Sequence, residues 1–240
     1  MFAIDFDGAF DRVTRSILLK KLACLGAGST LLFCLAAMYT RTESIIIQKD
    51  NHYIYHLLSG IKQGLPLSPF LFIFYINDIF DFFYKEYNNA LNSDAVLDKL
   101  HILIHADDSN ILTSSRSLLV DKIHGMIRYC KENNIMLQLT KCMFFVVNGS
   151  ERDKETISIG DEDIPGTSEV LVLGSWLHES GLVQHDLNLH LKYRFKCCIK
   201  YFNFLRTNRY APIVTKLKVL SSCVTSSLLH NCETFGPDLP

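Results

Sequence analysis

The segment HILIHADDSNIL (101–112) constrains the fold more than any other stretch of the chain. Apolar residues flank Ala106-Asp107-Asp108 on both sides, the pattern of a strand, a tight turn and a second strand. An isolated pair of aspartates is ordinarily an exposed turn, because Asp suits turn geometry. Here the flanks are too apolar for a surface loop, and a second strand-like run, FAI, ends on Asp5 near the amino terminus. If the two lie side by side in one sheet, Asp5, Asp107 and Asp108 converge at its edge. At ~4 Å and an effective dielectric near 20, each like-charge pair costs roughly 4 kcal/mol. Only a shifted pKa or a bound cation relieves that cost. Oxygen-only ligands suit magnesium or manganese, and two such ions ~3.5–4 Å apart form a clamp for in-line phosphoryl transfer.

Hydropathy periodicity places the remaining elements. Residues 15–39 read as helical with a loop near LGAGS (25–29), and 43–58 as a hairpin turning at Lys49-Asp50-Asn51. A loop, GIKQGLPLSP (60–69), opens an apolar helix that runs to about Tyr84. Leu118–Asn133 is amphipathic, 135–147 alternates as a strand, 148–168 is a polar surface hairpin, and VLVLGSWL (170–177) is a further strand. Leu191, Phe195, Cys198, Phe202 and Leu205 fall on one helix face, and a second helix spans Pro212 to His230. The expected fold is α+β: an antiparallel sheet with packed helices, followed by a small helical region.

Charge is unevenly distributed. The net charge is −1, yet Leu187 to Cys232 holds eight Lys or Arg and no Asp or Glu, which leaves the rest at −9. That division suggests an acidic site on one part and a polyanion-facing surface on the other. The eight cysteines contain no CxxC pair and no zinc spacing, and no secretory signal precedes them. Reduced intracellular thiols without disulfide partners are expected, with nucleus and cytoplasm not distinguished. The apolar runs at 31–39 and 67–80 are too short for a membrane span of ~20 residues, so no membrane association is expected.

FAIDFDGAF (2–10) resembles the DxDG motif of haloacid-dehalogenase-type phosphatases, in which Asp5 would be the nucleophile and Asp7 the acid/base. That reading leaves GIKQGLPLSPFLF and the basic tail unexplained.

A longer series of blocks resembles the non-LTR (LINE-type) retrotransposon reverse transcriptases. AIDFDGAFDRV (3–13) is similar to the first palm motif, an aspartate at a strand end followed by AFD. GIKQGLPLSPFLFIFYINDI (60–79) is similar to the second, HADD (105–108) to the ADD motif, and CKENNIMLQLTKCMF (130–144) to the lysine-bearing fourth. VLVLGSWL is similar to the YLG strand, and SSLLHNCETFG (226–236) to the thumb-helix LLYGCETW. The order and spacing of the blocks carry the likeness, since any one short motif recurs by chance.

The resemblance implies a polymerase palm with residual fingers (about 20–60) over 1–178, and a helical, truncated thumb over 179–240. It implies RNA-directed DNA synthesis, with RNA template, DNA primer and dNTPs as partners and two Mg2+ ions as cofactor, Mn2+ being able to substitute. Metal ligands would be Asp5, the backbone carbonyl of Phe6, Asp107 and Asp108. Phe10 would exclude a 2′-hydroxyl, Gln63 and Gly64 would line the nucleotide site, and Lys141 would protonate the departing pyrophosphate. His105 would face the primer end in place of the usual aromatic, while Lys192, Lys196 and Lys200 would track the template–primer backbone. Asp11 is expected to be structural, and Asp7 has no catalytic role. In the family a fingers region precedes the first aspartate, whereas only four residues do so here, and neither an endonuclease nor a Cys/His knuckle is present. The expectation is therefore a fragment of a longer element or a mispredicted gene, with feeble or no synthesis by this chain alone. An inactive remnant that binds nucleic acid is the alternative.

Overall fold

The computed structural model describes residues 1–49, 51–87, 100–105 and 108–230. The chain divides into two compact units, residues 1–144 with 156–165, and residues 145–155 with 166–240.

The first unit is built on short strands whose alternation separates a buried face from an open one. Strands β1 (Phe2–Ile4), β4 (Ile102–His105), β5 (Asp108–Ile111) and β6 (Met143–Phe145) form an antiparallel sheet in the order β4-β5-β1-β6; a separate hairpin pairs β2 (Glu43–Gln48) with β3 (Asn51–His56). On the buried face lie Phe2, Ile4, Ile102, Ile111 and Phe144. Burying a side chain of this size is worth roughly 1.5–3 kcal/mol, which sets the register firmly, since a one-residue slip would put every such side chain on the wrong face.

Helices α1 (Arg15–Cys24), α2 (Ser29–Thr40), α3 (Ser68–Ile76), α4 (Ile79–Tyr87) and α5 (Arg116–Glu132) supply the rest of this core through Leu18, Leu35, Phe72, Ile79, Phe83, Ile123 and Met126. Phe72 meets Phe6 edge-on, with ring centroids 6.2 Å apart. Ser115 caps α5 by accepting the Leu118 N–H at 3.3 Å. The helix stops where Asn134 takes a positive φ of 53° and the Ile135 N–H returns to Cys130 O.

Two sequence expectations change in this unit. The apolar helix expected to continue to Tyr84 is broken at Asn77-Asp78 into α3 and α4. Lys21 explains the break: its ammonium donates to the Tyr75 carbonyl (2.6 Å) and to the Asp78 carboxylate (2.7 Å), which also accepts the Tyr129 hydroxyl at 2.6 Å. Burial, reinforced by that carboxylate, pushes the Tyr129 phenol well above its ordinary value. Likewise, the strand expected over 135–147 is regular only at β6. Residues Leu139–Lys141 tighten into a 3-10 turn, in which Lys141 N–H donates to Gln138 O. The polar insert contributes strands β7 (Ile157–Ile159) and β8 (Glu162–Ile164), paired as a hairpin after a 3-10 turn over Glu151–Lys154.

The second unit contains β9 (Gly166–Thr167), β10 (Glu169–Val172), β11 (Ser175–His178), α6 (Val183–Thr207), α7 (Ile213–Val219) and α8 (Ser226–Leu229). The single strand expected over 170–177 is a hairpin. Leu173 and Gly174 both have positive φ (49° and 86°), the backbone of a two-residue turn that matches strand twist. Asp186 in the first turn of α6 accepts the Trp176 N–H at 2.7 Å and so ties the helix start to β11. A π-helical turn, Leu220–Thr225, joins α7 to α8, and Arg194 donates to the carbonyls of Leu228 and His230. Of the apolar stripe on α6, Cys198 is buried, while Leu191, Phe195 and Phe202 face solvent. No helix among the described residues is long and apolar enough to cross a membrane.

Candidate active site

The open face of the sheet gathers four of the candidate side chains, those of Asp5, His105, Asp108 and Lys141. β1 and β5 run antiparallel with Ile4 opposite Ser109, so one further step along that register brings Asp5 opposite Asp108. Directly opposed residues have Cα atoms about 4.5–5.5 Å apart. Ile4 is buried, whereas Asp5 is half-buried and Asp108 exposed, so both carboxylates belong to the face turned away from the core. His105, paired with Asp108 across β4 and β5, is exposed on that face too. Asp107 lies outside the described residues.

On the other side of Asp5 the backbone is held by the 136–142 segment. Gln138 N–H donates to Asp5 O at 2.9 Å and Asp7 N–H to Met136 O at 2.8 Å, bracketing the bridge between Phe6 and Leu137. In such an antiparallel step the bracketed residue's own N–H and C=O point to the opposite neighbour. The Phe6 carbonyl is therefore directed to the β5 side, where Asp108 stands. Asp5 N–H reaches the sulfur of Cys142 at 3.5 Å. Burial raises that thiol above its ordinary value, and the neighbouring Asp5 charge acts in the same direction. Lys141 Nζ lies 3.8 Å from Asp5 Oδ2.

This donor set fits a hard divalent cation in its chemistry. It consists of carboxylate oxygens and a carbonyl on a rigid sheet, and Lys141 is a cationic side chain in ion-pair range of Asp5. Among the described residues no three His, Cys, Asp or Glu side chains converge as a complete ligand set.

The other candidates lie in the loops beside β1. Phe10 stacks on Phe72, centroids 5.3 Å apart at 34°. Gly64 has φ +82°, a conformation that favours glycine. Gln63 Nε2 donates to both carboxylate oxygens of Asp11, at 3.1 and 3.2 Å. Sequence reasoning missed that partnership, since 52 residues separate the two; the AFD triplet and the QG pair mark the two residues but not their contact. Arg15 was missed as well. Its guanidinium donates to the carbonyls of Tyr39, Leu57, Ser59 and Gly60, fastening the segment before Gln63 to the start of α1. In the second unit, Lys192, Lys196 and Lys200 are exposed along α6 at the spacing of one helical stripe.

A family model described as reverse transcriptase (RNA-dependent DNA polymerase) matches residues 1–177. The chain belongs to the reverse transcriptase family. Its α+β sheet with packed helices is the fold expected of a reverse transcriptase palm, and members of the family generally work with divalent metal ions. Solved structures similar to this reverse transcriptase include apo telomerase from Candida tropicalis truncated from its C-terminal domain, at 13% identity and a TM-score of 0.48. Telomerase from Candida albicans in complex with a TWJ fragment of telomeric RNA is similar at 17% identity and a TM-score of 0.44. The matches cover 74% and 97% of this chain but 33% and 40% of those chains, so it spans well under half the length of either. The phosphatase alternative falls with the family match. Asp7, its acid/base candidate, is held by Arg12, whose Nη2 lies 2.5 Å from the carboxylate and whose Nε donates to Asp7 O.

Proposed function

We propose that this chain is the palm and part of the thumb of a non-LTR retrotransposon reverse transcriptase, and that it adds dNTPs to a DNA primer 3′-hydroxyl on an RNA template. Residues 1–178 serve as palm with residual fingers near 20–60, and 179–240 as thumb. The observation that supports the reading best is the β1–β5 register ending at Ile4 opposite Ser109, whose continuation by one step aligns Asp5 with Asp108, next to Lys141.

Asp5, Asp107, Asp108 and the Phe6 carbonyl would hold two magnesium ions. Such ions supply a lowered pKa at the primer hydroxyl and charge neutralisation at the pyrophosphate. Lys141, beside Asp5, would give a proton to the leaving pyrophosphate oxygen. Phe10, braced by Phe72, forms a flat wall under the sugar that a 2′-hydroxyl would strike. Gly64 lets the backbone approach the nascent base pair, and Gln63 offers a hydrogen bond to the nucleotide. His105 stacks near the primer end. Lys192, Lys196 and Lys200 bind phosphates in a salt-dependent manner.

The test is primer extension on an RNA template with Mg2+ and dNTPs. Extension by the parent, expected to be feeble from this chain alone, should vanish on chelation with EDTA and in Asp5→Asn and Asp108→Asn. Extension by Asp5→Asn at the parental rate would overturn the assignment.

A further inference from the structure

We propose that Cys142 is a positioning residue for the metal site: its thiol holds the Asp5 backbone N–H at a break in the strand ladder and so fixes the carboxylate that Asp5 presents. The inference rests on the reading of Asp5 as a metal ligand and concerns how the chain keeps that ligand in place.

The break is a change of register. Between β1 and β6, Phe2 lies opposite Phe144 and Ala3 opposite Met143. Counted on, that register would set Asp5 opposite Lys141. The bridge between Phe6 and Leu137 instead sets Asp5 opposite Gln138. The residues left over are Leu139, Thr140 and Lys141, which coil into the 3-10 turn. Extra residues of this kind bend a strand and re-aim a side chain. Here they bring Lys141 Nζ to 3.8 Å from Asp5 Oδ2.

The same step removes half of the pairing at Asp5. In a regular antiparallel ladder, the pairs that flank a bracketed bridge exchange both N–H···O bonds. Gln138 N–H donates to Asp5 O at 2.9 Å, and the returning bond would run from Asp5 N–H to Gln138 O. That carbonyl is turned into the 3-10 step, where it accepts Lys141 N–H at 2.8 Å and Cys142 N–H at 3.2 Å. Asp5 N–H goes to Cys142 Sγ instead, at 3.5 Å. A backbone donor away from water needs an acceptor, and the thiol stands in for the diverted carbonyl.

Sulfur is a weak acceptor, but this one is 2% exposed, so water has little access from its side. Asp5 is thereby held at three points: its N–H by Cys142, its carbonyl by Gln138 and its carboxylate by Lys141. Groups that orient a metal ligand without touching the metal change affinity by about 10–100-fold when they are removed.

The experiment titrates the full chain with Mn2+, reading the free ion by electron paramagnetic resonance, for the parent, Cys142→Ala, Cys142→Ser, Cys130→Ala and Asp5→Asn. Cys130 is a comparably buried thiol whose loss leaves a similar cavity without removing the acceptor of Asp5 N–H. Cys142→Ala should weaken Mn2+ binding about tenfold. Cys142→Ser, whose hydroxyl also accepts, should stay within about threefold of the parent, and Cys130→Ala should bind as the parent does. Parental binding in Cys142→Ala, a loss that Cys130→Ala shares, or a Ser variant as weak as the Ala variant overturns the proposal and leaves Asp5 as a metal ligand. Binding that Asp5→Asn does not weaken overturns the metal reading, and the positioning role with it. Hydrogen exchange of the Asp5 amide, followed by 15N NMR without metal, tests the bond to sulfur alone. That amide should exchange slowly in the parent and at least about tenfold faster in Cys142→Ala, with the Gln138 amide slow in both. An Asp5 amide that exchanges freely in the parent overturns the proposal by itself.

Discussion

Lys141 Nζ stands 3.8 Å from Asp5 Oδ2, and the two side chains are 61% and 43% exposed. An ion pair so open to water contributes about 0–1 kcal/mol to stability, so the role proposed for Lys141 in proton transfer can be tested apart from folding. Lys141→Met is expected to leave the melting temperature within about 2 °C of the parent and to slow single-turnover extension by about a hundredfold, the low end for loss of a general acid. Lys141→Arg separates charge from proton donation. Arginine keeps the charge but does not release a proton near neutral pH, so it should remain as slow as Met. A parental rate in Lys141→Arg would reassign the residue to electrostatics alone.

Gly60 has φ +81°, and a β-carbon on it would lie 2.8 Å from the Asp11 carbonyl oxygen. Gly60→Ala combines a left-handed backbone penalty of about 1–2 kcal/mol with an overpacking cost of about 1–3 kcal/mol. The expected total is about 3 kcal/mol, a fall in melting temperature of roughly 6–12 °C. A change under 2 °C by scanning calorimetry would mean that the loop yields far more easily than its hydrogen bonds indicate.

Arg15 makes one guanidinium serve four carbonyls, with donor–acceptor distances of 2.8–2.9 Å to Tyr39, Leu57, Ser59 and Gly60. Lysine is a flexible point charge and cannot span that fork. Arg15→Lys should cost about 2 kcal/mol and Arg15→Ala more, because partly buried carbonyls lose charged donors. Urea melts of the two variants measure the order directly, and equal stabilities would show that charge, not shape, matters there.

What was legible in the sequence follows from which forces act locally. The HILIHADDSNIL hairpin was readable because apolar residues flank its acidic pair on both sides, and β4 and β5 pair antiparallel as that pattern expects. The break between α3 and α4 was not, since the Lys21 and Tyr129 side chains that stabilise it come from 57 and 51 residues away from Asp78. The 135–147 segment alternates in hydropathy, yet its backbone pairs with Asp5 and Asp7 only through Gln138 and Met136, and Lys141 N–H then returns to Gln138 O in a 3-10 step before β6 begins. At the site, Asp5 and Asp108 could be paired from strand ends alone. The Asp11–Gln63 link could not, because nothing near either residue announces the other.

Two buried thiols, Cys130 and Cys142, make the fold less stable at alkaline pH. Burial pushes the Cys130 thiol up to about 12 from its ordinary 9.0, with Cys142 adding to the effect, and burial raises Cys142 as well. A thiol whose pKa is higher in the folded chain stabilises fully below pH 9 and loses that contribution as pH climbs toward the folded value, because the unfolded chain gives up its proton first. For Cys130 the loss reaches about 1.4 kcal/mol by pH 10. Cys130→Ala should be less stable than the parent at pH 7 because it leaves a cavity, yet it should lose about 1.4 kcal/mol less between pH 7 and pH 10. Urea melts at the two pH values give the difference. Parallel curves would mean that the Cys130 thiol ionises as easily in the folded chain as in the unfolded one, against its 3% exposure.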